Sequence, residues 1–586
     1  MALFKSKTAT LEPGELAVEH SFAPPDPDLS RVGQLLLQRD AVTTGQVSGA
    51  LAAAKGSTAG FLDHLISDGV DRHVAVACAA EVFGVEPAGS GPFHPSTTVL
   101  GQLSEALVRR HQALPLDARD GRLVVLTSEP KPANRTAVEQ AVGGFVHWLL
   151  AEPSTARTLI DRTFRSDEQI ELLVKAFESS TEQRAAVVAA RDVADDIASD
   201  SAPVVQVVNR IVTQGLRDRA SDVHLEALDD AVRVRFRIDG ALVEALTLPI
   251  GIHLALVSRL KILAGMNIVE RRRPQDGQFS INVDGRDVDI RVSTVSTVFG
   301  EKVVLRLLDK GRSLIGLSQL GFPRDTYEDY SAMVHSPFGM VLCAGPTGAG
   351  KTTTLYATLS EINSAGKNVT TIEDPVEYVF PGINQIQANE AAGLTFATGL
   401  KAILRQDPDV ILVGEIRDVD TARIAIQSAL TGHFVLSSVH GTDAVAALHR
   451  FLDMGIESFL IASSVIGVVG QRLLRRICDN CRETYLPSPQ EVGFYERHGG
   501  YPKSEFHRGA GCELCAGTGY RDRVGIYELL RITPELRRLV VGWATQDELR
   551  KVAVAQGMRT LAMEALALVD QDVTTIAEVV RTLFGS

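Results

Sequence analysis

The run GMVLCAGPTGAGKTTTLYATL, residues 339–359, constrains this chain more than any other stretch of its sequence. Gly345, four residues, then Gly350, Lys351 and Thr352 stand between an apolar strand and an alanine- and leucine-rich helix. Glycines let successive backbone N–H groups turn toward one anion, and the helix start adds partial positive charge. Gly345, Pro346, Thr347, Gly348, Ala349, Gly350, Lys351, Thr352 and Thr353 are therefore read as a nucleotide cradle. Lys351 is placed to reach the β- and γ-phosphates and the Thr352 hydroxyl to ligate Mg²⁺. A chance glycine turn is the rival reading, and the strand–loop–helix setting argues against it. Around this loop, from about residue 311, short apolar strands alternate with helices, the pattern of a parallel sheet covered on both faces.

Gripping a nucleotide is not cleaving it, so carboxylates at neighbouring strand ends decide the chemistry. NVTTIEDPVEY, 368–378, delivers Glu373, Asp374 and Glu377, any of which can orient an attacking water. VILVGEIRD, 410–418, is an apolar strand whose trailing edge carries Glu415, placed to hold Mg²⁺ through water. ALTGHFVLSSVHGTDA then brackets a third strand with His433 and His440. Solvated carboxylates and packed histidines are the bland alternatives at these positions.

At 586 residues the chain is too long for one core, and three or four domains are expected. Its 45% apolar and 22% charged residues are those of an ordinary globular protein. Phe459 to Gly470, FLIASSVIGVVG, falls short of the roughly 18 apolar residues a membrane span needs, and the first 20 residues lack the apolar segment of a secretory signal. A cytoplasmic location is expected. The net charge of −13 argues against a nucleic-acid footprint over the whole chain, so no DNA partner is expected.

Residues 1–28 read as a loose, proline-punctuated leader. Residues 29–165 read as one α+β domain that opens with two weakly repeated pairs of short helices. Two β-like runs about an Asp-Gly turn (LPLDARDGRLVVLTSEP) follow, then two more helical stretches ending near Phe164. The charged, alanine-rich stretch 166–200 reads as an exposed helical connector. A helix and alternating strands make 201–310 a second α+β domain, and 311–586 is the nucleotide domain.

Four of the six cysteines form two Cys-x-x-Cys pairs, Cys478/Cys481 and Cys512/Cys515. Four thiolates favour Zn²⁺ in a closed structural site that orders an otherwise coreless insertion. A redox pair lacks a thioredoxin-like setting, and a nucleic-acid zinc ribbon is disfavoured by the mixed charge between the pairs.

Together GPTGAGKTT, TIEDPVEY, RQDPDVILVGEIRD and TGHFVLSSVH resemble the secretion ATPases of type II secretion and type IV pilus systems. The resemblance extends through ASDVHLE, VRFRIDG, RRRPQDGQF, DIRVST, GEKVVLRLL and QRLLRRICDNC, and covers nearly all of 30–586. It implies a RecA-like P-loop motor domain preceded by two α+β domains, the second PAS-like, with a zinc-binding insertion at 478–515. Glu377 would be the catalytic glutamate, Glu415 the Walker B acid, and His433 and His440 the His-box pair. Arg235, Arg237 and Arg291 would be the arginines that the preceding domain sets against the nucleotide. The resemblance further implies ATP, Mg²⁺ and structural Zn²⁺, and a homohexamer at the inner face of the cell membrane that turns a platform protein to extrude pilin-like subunits. The tetracysteine insertion favours assembly or secretion over retraction.

The chain departs from the family at Val439-His440-Gly441-Thr442, where Leu-His-Thr-Asn is usual. RVGQLLLQRDAVTTGQVSGAL also resembles amino-terminal repeats of secretion ATPases, some of which bind cyclic di-GMP. Arg31 and Gly33 match that pattern, Ala54 stands where its glutamine belongs, and a docking surface for a membrane partner is the favoured use. A nucleotide-binding regulator without turnover and a nucleic-acid translocase are the rival functions.

Overall fold

The computed structural model describes residues 26–585 apart from 90, 92, 120, 165–169, 171–172, 176–202, 284–285 and 310–314. Most of the leader 1–28 and of the connector 166–200 lies outside the described residues.

Helices Pro27–Gln38, Thr44–Ala54, Thr58–Ser67 and Arg72–Phe83 open the amino-terminal domain. Their starts are written in the sequence: Thr43 and Gln46 form a reciprocal capping box, and the Asp71 carboxylate accepts from the His73 and Val74 N–H groups. At Gly33 a Cβ would stand 2.5 Å from a Val47 methyl, so glycine lets the first two helices touch. A four-stranded sheet follows, made of β1 (Glu86–Pro87), β2 (Ala113–Arg119), β3 (Arg122–Thr127) and β4 (Val146–Leu150), ordered β1-β4-β3-β2. The two helical stretches that end near Phe164 are Pro132–Val142 and Pro153–Thr163, and strand β4, VHWLL, lies between them. Parallel pairing with β3 and burial of Trp148 and Leu150 in two adjoining cores hold it there.

The second domain is an antiparallel six-stranded sheet on two helices. Helix Pro203–Arg217 precedes β5 (Asp222–Ala227), β6 (Ala231–Ile238) and β7 (Ala241–Pro249). Helix His253–Leu263 precedes β8 (Gln275–Val283), β9 (Arg286–Thr297) and β10 (Gly300–Asp309), and the order is β7-β6-β5-β10-β9-β8. Period-two alternation on β6 sends Val232, Val234 and Phe236 into the core and Arg233, Arg235 and Arg237 to the opposite face. Ile170 and Val174 are buried in this same core, so that piece of the connector is a core element rather than an exposed one.

The third domain places the nucleotide loop. Its strands are β11 (Gly339–Ala344), β12 (Val369–Glu373), β13 (Asn384–Gln387), β14 (Val410–Val413), β15 (Phe434–Val439) and β16 (Val465–Ile477). A small antiparallel pair, β17 (Arg482–Tyr485) and β18 (Phe506–Gly509), interrupts the chain before β19 (Tyr520–Arg531). The order is β13-β12-β14-β15-β11-β16-β19, parallel except that β19 runs against β16. Helices bury both faces, with Leu355, Leu359 and Tyr330 on one side and Ile403, Ile426 and Leu448 on the other. The apolar run 459–470 divides into helix Ser458–Ser464 and the start of β16, and among the described residues no helix is long and apolar enough to cross a membrane.

The insertion holding the cysteines is not coreless. Tyr495 of helix Pro489–Arg497 and Phe506 pack with Leu561, Leu566 and Val569 of helix Leu561–Asp570, so a distant segment of the chain supplies the core that the insertion lacks on its own.

Candidate active site

Because β11, β12, β14 and β15 are parallel neighbours, their carboxyl ends bring four segments to one edge. These are the loop 345–350 after β11, Glu373 closing β12, Glu415 just beyond β14, and His440 just beyond β15. Gly345 N–H donates to the Val439 carbonyl at 3.3 Å, which ties the loop to the strand leading into His440. Gly348 (φ 78°) and Gly350 (φ 87°) adopt the left-handed backbone that turns the loop, a conformation other residues reach only with strain. A Cβ on Gly345 would lie 2.8 Å from the Gln471 carbonyl. Pro346, Thr347 and Gly348 are open to solvent, as are Thr352 and Thr353 at the start of helix Lys351–Ile362, while Ala349 is buried.

Lys351 Nζ donates to the Gly345 and Pro346 carbonyls at 2.8 and 3.0 Å, so its charge curls over the loop's anion seat. Burial lowers its pKa, and Arg472 pushes the same way against the opposing pull of Glu415. A cation already short of solvent gains most from a phosphate partner. The Glu415 carboxylate lies 2.7 Å from His440 Nε2 on one oxygen and 2.7 Å from Arg417 on the other. The Glu415 carboxylate and the exposed Thr352 hydroxyl offer hard oxygen ligands, and the N–H groups of the open loop with the cationic lysine offer a seat for phosphate, which together fit a magnesium nucleotide.

The three acids of 373–377 separate. Glu373 is buried and accepts from Tyr356, from Thr371 (2.6 Å) and from Gln385 (3.2 Å), so its carboxylate is committed to the surrounding side chains. Asp374 is exposed. Glu377 is partly buried, its N–H donates to the Tyr356 hydroxyl at 3.3 Å, and its carboxylate lies 3.6 Å from Arg291 Nη2 of the second domain. Arg291 is thus brought to a motor carboxylate within one chain, whereas its two companions are not. Arg235 pairs with Glu226 at 2.7 Å, and Arg237 donates to the Gly240 carbonyl at 2.9 Å and lies 3.8 Å from Asp222. These bonds stay inside the second domain because the β5 register sets Asp222 and Glu226 on the same sheet face as the β6 arginines.

His433 also departs from expectation. It precedes β15 and so stands at the opposite edge of the sheet, where its Nδ1 lies 3.0 Å from the Ser428 carbonyl. A strand of six residues separates the two histidines by its own length, and only His440 reaches the nucleotide edge. Beyond it, Gly441 fits against helix Ala444–Asp453, where a Cβ would stand 3.1 Å from that of Ala447.

Three residues that the sequence did not single out complete the site. Tyr356 joins the loop's helix to Glu373 and Glu377 through one hydroxyl. Gln471 is buried and donates from Nε2 to the Ala349 carbonyl at 2.7 Å. Arg472 donates to the Thr442 carbonyl at 2.6 Å, and burial lowers its pKa. Gln471 and Arg472 lie in QRLLRR, whose alternation on a long strand is the signal for them; Tyr356 carries none.

The four cysteines converge. Their ligand atoms lie within 4.8 Å of one another, with Sγ–Sγ separations of 3.8 Å for the pairs 478/512, 481/515 and 512/515. A tetrahedron with metal–sulfur bonds of about 2.3 Å has edges of about 3.8 Å. Gly511, Cys512 and Gly519 N–H groups point at the sulfurs from 3.1 to 3.3 Å. Burial and neighbouring sulfurs push the Cys481 thiol up to about 12, while hydrogen bonds from Cys478 and Cys515 hold Cys512 well below the usual thiol range. The residues fit a tetrathiolate metal, with zinc favoured by sulfur softness and geometry.

A parallel sheet with this loop and these acids at its carboxyl edge defines a P-loop ATPase. The chain matches the type II/IV secretion system protein family over residues 197–581, and residues 83–170 match the MshEN domain. It is 44% identical to the type II secretion system protein HxcR of Pseudomonas aeruginosa, over 74% of this chain and 92% of that one. It is 39% identical to the type II secretion system protein E of Xanthomonas campestris pv. campestris (87% and 90% covered). It is 35% identical to the type IV pilus assembly ATPase PilB of Myxococcus xanthus (94% and 98% covered). The chain belongs to the type II/IV secretion system protein family and is an ATP-hydrolysing motor of that kind.

Proposed function

We propose that this chain powers the assembly and extrusion of pilin-like subunits of a type IV pilus or a type II secretion pseudopilus, as a homohexamer on the inner face of the cell membrane acting on a membrane platform protein. The meeting of Glu377 with Arg291 across two domains, with Glu377 tied through Tyr356 to the helix that follows the nucleotide loop, carries this reading. A carboxylate that must activate water and an arginine that can follow developing phosphate charge are set on bodies able to move against each other.

In this scheme Lys351 and the N–H groups of 345–352 hold the triphosphate, with Thr352 and Glu415 as the magnesium-side oxygens. Bound Mg²⁺ would supply charge neutralisation at the β- and γ-phosphates. Glu377 orients the water and takes its proton. His440, held on Glu415, and Arg472, held on the Thr442 carbonyl, report the γ-phosphate's presence to β15 and β16. Arg235, Arg237 and Arg291 are the arginine set of the second domain. Of these, Arg291 serves within the chain, and the other two are left for a neighbouring subunit's nucleotide. Hydrolysis then frees Arg291 and lets the second domain shift. His433 is a structural residue. The tetracysteine site holds Zn²⁺ and is not catalytic. The amino-terminal domain is a docking module. Cyclic di-GMP at Arg31 and Gly33 is the weaker use, since both precede the matched residues 83–170.

Glu377→Gln tests the scheme. It keeps the shape and the N–H contact to Tyr356, so nucleotide affinity should hold within about threefold. Phosphate release should fall by about 10²-fold or more, the share a positioned general base supplies. Turnover within a few-fold of wild type would move the base elsewhere.

A further inference from the structure

The tetracysteine cluster belongs to two domains at once. Cys478, Leu514 and Cys515 are buried in the same apolar cluster as Leu103, Leu116 and Trp148 of the amino-terminal domain. Polar links surround that contact. Asn480 accepts from the Phe93 N–H at 3.0 Å through Oδ1 while its Nδ2 donates to Cys512 Sγ at 3.1 Å. Arg72 pairs with Asp479 at 3.0 Å, and Arg521 donates to the Ser154 carbonyl and the Thr158 hydroxyl, both at 3.2 Å.

We propose that the metal held by these four thiols is a latch that fastens the amino-terminal domain to the motor, a proposal that rests on the metal reading of the cluster. The physical link is Asn480. Its orientation toward Phe93 is set by a sulfur that accepts its N–H, and a metal-bound thiolate is the stronger acceptor. The turns 478–481 and 512–515 are single helical turns without an independent core, so their spacing, and with it the seat for Leu514, is fixed by the ligated sulfurs. The motor sheet draws its core from other residues, so the latch can open without melting it.

The latch is mounted where it can sense the motor. Strand β16 touches the phosphate loop at Gln471 and ends at Ile477, immediately before Cys478. Seven residues of strand span only about 23 Å and transmit displacement as a stiff element. A shift of the loop at Gln471 therefore moves the latch and the domain fastened to it.

The test is hydrogen–deuterium exchange of the full chain, metal-loaded and after chelation, with bound zinc measured in parallel. Chelation should raise exchange about tenfold or more at 93–103 and 153–163 and leave 339–344 and 434–439 protected. Arg521→Ala should keep one zinc per chain and still raise exchange at 153–163. Unchanged exchange at 93–103 and 153–163 after the metal has left would overturn the latch while leaving the metal site standing, as would a rise spread evenly through the motor sheet. A chain purified without bound metal that shows these segments already protected would overturn both.

Discussion

Glu226 shows how one carboxylate organises the arginine face of the second domain. Burial alone would raise its pKa, but Arg235, Lys302 and Arg233 outweigh that and hold it at about 2, against an ordinary 4.5. A folded-state pKa below the unfolded one contributes stability that is fully present above about pH 4.5 and is lost as pH falls toward 2. Allowing for solvent screening, the contribution is on the order of 2 kcal/mol. Glu226→Gln should therefore lower the urea midpoint of this domain at pH 7, and the difference from wild type should shrink steadily between pH 4.5 and pH 2.5. A gap that stays constant with pH would show that the three cations do not set this group. Glu377 is the contrasting residue, since it has one distant arginine and one N–H contact, and so keeps a carboxylate free to work.

The elements sort the sequence motifs by which edge of the sheet they reach. His440→Ala removes the partner of Glu415 at the nucleotide edge, and hydrolysis should fall about tenfold or more, matching a lost charge-assisted contact of about 1.5–3 kcal/mol. His433→Ala removes a bond to the Ser428 carbonyl at the far edge, and turnover should remain within about threefold, the change showing in thermal stability instead. Equal losses in turnover from the two variants would contradict the placement. The same logic explains what the sequence could tell. The loop 345–353 and each Cys-x-x-Cys pair were legible because their spacing is local, and Glu415 because it follows an apolar strand whose carboxyl end a parallel sheet brings to the loop. His433 and His440 flank β15 on its two sides, so the strand's length sets them at opposite edges of the sheet, which their spacing in the sequence does not show. Strand β4 stands between the two helical stretches because VHWLL takes its extended form from pairing with β3 rather than from its own periodicity. The buried Ile170 and Val174 were hidden in a charged stretch whose apolar minority faces a core 30 residues downstream. Tyr356 and the Asn480 bridge depend on contacts between distant segments, which no spacing records.

At the scale of the whole molecule, two domains meet the motor. Arg291 links the second domain to Glu377, and Arg219 and Asp522 pair it to the start of β19 at 2.5 Å. The tetracysteine turns link the amino-terminal domain to the end of β16. A nucleotide-driven change at the loop thus has two outlets. Arg291→Ala should uncouple the first. Nucleotide affinity should change little, while the exchange difference that ATP induces at 286–297 should disappear; its persistence would place the interdomain signal on another contact. The rival readings also separate at this scale. A regulator would bind nucleotide without steady turnover, and a nucleic-acid translocase would be stimulated by DNA in a manner that salt abolishes.

The most direct test of the central claim is magnesium-dependent phosphate release per chain, measured across a protein concentration series that passes from monomer to assembled ring. Steady release that requires magnesium and rises with assembly is the predicted result, because within one chain Arg235 and Arg237 are engaged by Glu226 and Asp222 and are left for a neighbouring subunit's nucleotide. An assembled, magnesium-supplied protein that binds ATP and leaves it intact would contradict the account.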